Sequence, residues 1–187
     1  MEILALTLLV VAGVVIVLYN RLVKFRNYVR DAWAGIGVQL TKRHDLVPLL
    51  VKTVQAYASH ESSLLQSVTE LRSPQLDQDL SKTQNQEESF GDAFSKLLVL
   101  AESYPELKAD QNFQQLQQQL VDVENDIESA RRYYNGTVRE LNIAVESFPS
   151  NLVAQQFGFT AAEFFKLRLP SIGQTPEVSL RRGLTGN

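Results

Sequence analysis

Apolar and polar positions divide the chain at its twentieth residue. Residues 3–18, ILALTLLVVAGVVIVL, carry no charge and show no polar face. Most of the chain after them is amphipathic at helical spacing. Phe113, Leu120, Ile127, Tyr134, Leu141 and Phe148 recur every seven residues, and Leu116, Val123, Ala130, Thr137 and Ala144 form a second line three residues along. That is the a/d pattern of a helix packed in a seam, here predicted over about 106–147. The glutamine-rich stretch 114–119 keeps the phase through Leu116 and reads as the polar face of that helix. Gly136 weakens a helix by about 1 kcal/mol, and its retention suggests close backbone packing.

The same arithmetic predicts three further helices. Leu22, Val29, Trp33, Ile36 and Leu40 mark one over about 20–40, with Gly35 and Gly37 as points of bending or close approach. A turn at Thr41–His44 then reverses the chain. Asp45 caps the next helix, about 46–72, and places Pro48 in its first turn, where no intrahelical donor is lost. Its lines are Leu50, Tyr57, Leu64 and Leu71, and Val47, Val54 and Val68. Residues 74–86 read as a polar loop, and 87–103 as a helix through Phe90, Phe94, Leu97, Leu98 and Ala101. Residues 148–168 carry Phe157, Phe159, Phe164 and Phe165, expected as a lid over one bundle end that includes a short helix, about 160–168. Contact of these aromatics with a membrane or partner is the alternative. Residues 169–187 are expected to be a mobile tail.

No segment alternates as a strand, so the expected fold class is all-α: a transmembrane helix at 1–19 continuing into an antiparallel four-helix bundle over 20–168, with left-handed coiled-coil-like seams. Sixteen apolar residues give about 24 Å of helix against a hydrocarbon core of about 30 Å. The absence of a basic n-region and of a convincing cleavage site argues for a retained anchor rather than a signal peptide.

Charge then adds direction. Arg21, Lys24, Arg26 and Arg30 follow the apolar run with no acid among them, whereas the residues beyond 30 hold 14 basic and 20 acidic side chains, a balance of -6. The positive-inside rule places the helical body on the cytoplasmic side, with the N-terminus outside. The four basic residues are candidates for headgroup contact, and the acidic body is expected to stand off the membrane.

Little chemistry is written in the chain. There is no cysteine, and there are only two histidines. Thiolate nucleophiles, disulfides and Cys-ligated metals are therefore excluded. Phosphate-cradling glycine loops, G-x-S-x-G and H-E-x-x-H are absent. The net charge of -3 gives no nucleic-acid signal. No enzyme activity, cofactor or metal is expected.

The polar residues singled out are His44 with Asp45, His60 with Glu61, and Asn125, Arg131 and Arg132. The two histidine pairs stand about 24 Å apart on one helix, too far to share a site within a monomer. Glu61 falls on a seam line, where a carboxylate is costly unless paired; it is expected to pair with Arg131 or Arg132, or to sit where the seam opens to water. Glu124, Asn125, Arg131, Arg132, Tyr133, Tyr134 and Asn135 form a polar and aromatic belt, with Asn125, Arg132 and Arg139 at heptad spacing, read as inter-helix hydrogen bonding or a partner surface.

The run YNRLVKFRNYVRDAWAGIGVQLTKRHDLVPLLVKTVQAYASHE (19–61) resembles the LemA family of bacterial membrane proteins. So do AESYPELKADQNFQQLQQQLVDVENDIESARRYYNGTVRELN (101–142) and FPSNLVAQQFGFTAAEFF (148–165). Gly37 and Leu49 depart from the family pattern, which usually has an acid and an asparagine there. The resemblance implies a single-pass protein of the bacterial inner membrane with a helical cytoplasmic domain and no catalytic residues to carry over. It also implies association with specialised membranes or with neighbouring membrane proteases.

Three functions therefore stand as expectations. The first is a non-enzymatic scaffold that binds lipid through its N-terminal helix, recruits copies of itself or membrane proteins, and has no nucleic-acid partner. The second is an accessory subunit of a membrane protease or quality-control complex. The third is a metal- or ligand-binding bundle using His44, Asp45, His60 and Glu61.

Overall fold

The computed structural model describes residues 1–58, 60–70 and 80–166. Among these there is no strand. The helices run α1 (Glu2–Tyr57), α2 (Ser62–Glu70), α3 (Leu80–Glu102), α4 (Pro105–Ala109), α5 (Gln111–Glu146) and α6 (Ser150–Gln156). The expected tail 169–187 lies outside the described residues.

The spine is a pair of long helices. At 56 residues, α1 is about 84 Å long. Helix α5 runs antiparallel to it. Leu22 meets Ala144 at one end, Ile36 and Leu40 pack with Val123, Ile127 and Val138 in the middle, and Val54 shares a core with Phe113 and Leu120 at the far end. Helices α2 and α3 close the far half, bringing Leu65, Val68, Phe90, Phe94 and Leu97 into the same core.

The expected reversal at Thr41–His44 does not occur. Ile36, Leu40, Arg43, Val47, Leu50 and Val54 are all buried on one side of α1, at steps of four and three residues. That stripe stays in phase through Pro48, which lies inside the helix. A mid-helix proline costs about 3 kcal/mol. Full burial of Val47, Leu50 and Val54 stabilises the continuous helix by about 1.5–3 kcal/mol each, so the stripe outweighs the proline. Asp45 is consequently exposed mid-helix and caps nothing. The chain turns back only after Tyr57: of the expected 46–72 helix, the part to Tyr57 belongs to α1 and Ser62–Glu70 forms α2, while 59, 71 and 72 lie outside the described residues.

Other boundaries shift for local reasons. Residues 80–86, expected as loop, form the start of α3 and bury Thr83. The expected 106–147 helix begins instead as the short α4, which stops at Asp110. There the Asp110 carboxylate accepts from the Phe113 backbone N–H at 3.0 Å, an N-cap for α5, and its other oxygen accepts from the Tyr57 hydroxyl at 2.9 Å. Gly136 and Gly35 have nothing within 4 Å of where a Cβ would stand, so neither marks a close approach.

The C-terminal segment departs most. No helix forms over 160–166. Helix α6 precedes it and ends at Gln156; Gly158, two residues on, takes φ +69° while the Phe159 N–H bonds back to the Ala154 carbonyl at 2.9 Å, the Schellman arrangement. The chain then runs as an extended strap along the α1–α5 groove rather than as a lid over an end.

Candidate functional site

Among the described residues, three constellations of polar side chains stand out: an ionic hub in the middle of the molecule, the strap, and the neck beside the apolar run.

The hub centres on Arg43, which occupies a core position of the α1 stripe and is 4% exposed. Its Nη1 donates to Glu87 of α3 at 2.9 Å and to Glu124 of α5 at 3.1 Å, and its Nη2 donates to the second Glu87 oxygen. Arg131 of α5 donates to Glu87 as well. The Arg43 guanidinium also lies 4.0 Å from the Phe90 ring centre. Two cations and two carboxylates thus neutralise one another where α1, α3 and α5 meet. Burial works to lower the Arg43 pKa, but the Glu87 and Glu124 carboxylates outweigh it and the net shift is upward. Arg131 is shifted down, because burial, reinforced by the Arg43 charge, prevails over Glu87 and Glu124. A cleft of about 240 Å3 lined by Gln84, Glu87, Glu88, Arg131 and Lys166 opens beside the hub.

The strap is held by two asparagines one heptad apart on α5. Asn135 donates to the Phe165 carbonyl and accepts from the Phe165 N–H, both at 2.8 Å. Asn142 does the same for Ala162, at 3.0 and 2.8 Å. Seven helical residues rise about 10.5 Å, and three extended residues span about 10 Å, so the two ladders match. Tyr134 adds a bond from its hydroxyl to the Glu163 carbonyl at 3.1 Å. Phe165 is buried against Trp33 and Tyr134, with Arg131 over its ring at 4.7 Å.

The neck carries the candidate lipid contacts. Arg21, Lys24 and Arg30 are exposed on α1. Arg21 lies 5.3 Å from the Phe25 ring and Lys24 5.5 Å from that of Tyr28, each one turn along. Arg26 turns inward instead, 4.9 Å from the Phe159 ring of the strap.

The remaining expected residues do not gather. His44 lies 3.3 Å from its neighbour Asp45, a local pair on α1. His60 is exposed in the turn beyond α1, and Glu61 is half-buried before α2. Glu61 does not reach Arg131, whose partner is Glu87, or Arg132, which pairs with Glu128 one turn away at 2.9 Å. Asn125, Arg132 and Arg139 are exposed rather than bonded between helices. Among the described residues no group of three or more His, Cys, Asp or Glu is placed to hold a metal ion.

Sequence reading missed Arg43, Glu87 and Asn142; Glu124 and Asn135 belong to the polar belt it singled out, and both bond to other segments. Arg43 had a signal, a charge on a line that is otherwise apolar from Ile36 to Val54. Asn142 had one too, in its seven-residue spacing from Asn135.

These features define a class of protein: an all-helical chain whose N-terminal helix is long and apolar enough to cross a membrane and continues without a break into the helical body. The chain belongs to the LemA family, whose model matches residues 32–180. It is 26% identical over 149 residues to Protein LemA of Metamycoplasma hominis, covering 79% of this chain and 68% of that protein. It is 29% identical over 90 residues to Magnetosome protein MamQ of Magnetospirillum gryphiswaldense, and 30% identical over 90 residues to Magnetosome protein MamQ 2 of Paramagnetospirillum magneticum. Those matches cover 48% of this chain and 32% of each MamQ protein, so the chain spans about a third of the magnetosome relatives' length.

Proposed function

We propose that this LemA-family protein is a non-enzymatic, membrane-anchored scaffold. The observation that carries the reading is the continuity of α1. Residues 3–18 are uncharged and largely exposed, and the same helix is the spine of the body. A rod fixed rigidly to its anchor holds its surface at a set height above the bilayer. Confinement to a plane raises effective concentration, so weak lateral contacts suffice to recruit copies of itself or other membrane proteins. The basic flank Arg21, Lys24, Arg26 and Arg30 supports a cytoplasmic body. A four-helix antiparallel arrangement with left-handed seams is part of this reading, supported by the three-and-four spacing of buried residues on α1 and α5.

Extraction of cell membranes with alkaline carbonate tests the anchor. The full-length chain is expected in the pellet, and its release into the supernatant defeats the proposal. Crosslinking in cells tests recruitment, with self-links or links to membrane proteins expected; a chain that links to nothing at the membrane is no scaffold.

A further inference from the structure

We infer that the corner between α5 and α6 is a second membrane contact, in which Phe148, Leu152 and Phe157 enter the lipid interface beside the exit of α1. The inference rests on reading the apolar run as membrane-spanning.

Three observations carry it. First, residues 147–162 hold no charged side chain, the longest such stretch after the apolar run itself, in a chain with 21% charged residues. Second, the corner exposes large apolar side chains instead of burying them. Phe148 is 79% exposed, Leu152 57% and Phe157 52%, while Val153, Ala154 and Phe159 face inward. Third, the inward face packs on Leu22 and, one and two turns earlier, on Leu18 and Val15 of the apolar run. Tyr19 meets Phe157 and Phe159 edge to face at 4.9 and 5.7 Å.

The third observation sets the depth. Val15 lies about 9 Å along the helix from Arg21. Any position of the bilayer that immerses Val15 and Leu18 therefore brings the corner to the interface with them. The apolar run is about 6 Å shorter than a hydrocarbon core of about 30 Å. An uncharged collar bearing two phenylalanines and a leucine, joined to Tyr19, makes up apolar length on the body side. Aromatic side chains favour this level, and Arg21 and Lys24 can reach the headgroups from just beyond it. Continuity with the apolar run selects lipid as the occupant over a second copy of the chain.

The absence of cysteine makes site-directed spin labelling clean. The full chain carrying Phe148→Cys, Leu152→Cys or Phe157→Cys is nitroxide-labelled and placed in phosphatidylethanolamine–phosphatidylglycerol vesicles. Collision of each label with oxygen and with a water-soluble nickel chelate is then measured. Val10→Cys marks the apolar run, and Val99→Cys, exposed on α3, marks solvent. The expected result is an oxygen-to-nickel ratio at 148, 152 and 157 severalfold above that at 99. Aqueous ratios at the corner with an apolar ratio at 10 overturn this inference and leave the anchor standing. An aqueous ratio at 10 overturns the anchor and the inference together. Corner labels shielded from both reagents and broadened by spin–spin contact identify a second copy as the occupant, which also overturns it.

Discussion

Arg43 is where three helices are fixed against one another. A guanidinium at a core position is costly to desolvate, and Glu87 and Glu124 compensate for it only in this register. Breaking such a hub leaves a buried charge without its partner. Glu87→Gln is expected to destabilise the protein by about 3–5 kcal/mol, read from thermal unfolding in detergent. A loss under about 1 kcal/mol sinks the account of the hub. At Asp110, the hydrogen bond from the Phe113 N–H, followed by that from the Tyr57 hydroxyl, holds the carboxyl below its ordinary value. A depressed folded pKa contributes stability that is present above the unfolded aspartate value and is lost as pH falls through the folded one. The same bond raises the Tyr57 hydroxyl, which gives it up only on alkaline titration. Wild type is therefore expected to lose more stability than Asp110→Asn over that acid window, in melting curves at stepped pH. Equal losses refute the linkage. Gly136→Ala meets open space on a helix and is expected to add about 1 kcal/mol in the same melts. A loss there means that the backbone is crowded after all.

At the scale of elements, two segments set sequence and structure at odds. Asp45 and Pro48 are reasonable start signals, but they are local ones. The buried stripe from Ile36 to Val54 gains its energy from α2, α3 and α5, which no local window contains. Spin labels at Tyr28→Cys and Leu49→Cys distinguish the outcomes. A continuous α1 separates them by about 32 Å along its axis, whereas a reversal at 41–44 leaves about 12 Å. A pulsed dipolar distance near the shorter value, after allowance for label arms, excludes the unbroken helix. The strap is the second case. A lid with a short helix is the sequence expectation there, yet the chain lies extended in a groove, which leaves backbone groups that need partners. Asn135 and Asn142 supply those partners, and their spacing on α5 becomes informative only once strand rise is set against helix rise.

For the whole molecule, the charge pattern and the proposed anchor act together. The neck is basic, the body beyond residue 30 carries -6, and the two are parts of one rigid rod. Single-cysteine chains report the orientation. Val99→Cys is expected to react with a membrane-impermeant maleimide only after spheroplasts are lysed; reaction in intact spheroplasts places the body outside and overturns the positive-inside assignment.

The sequence by itself determined the helical class, the apolar run and the basic neck, which are written in short-range periodicity and composition, and the family, which is carried by long ordered motifs. Tertiary structure alone decided where α1 stops, which charges meet, and how residues 159–166 lie. Those outcomes depend on burial shared between segments 40 to 80 residues apart, such as Arg43 with Glu87 and Glu124. A proline or a cap weighs a few kcal/mol at one position, and a stripe packed against three helices outweighs it.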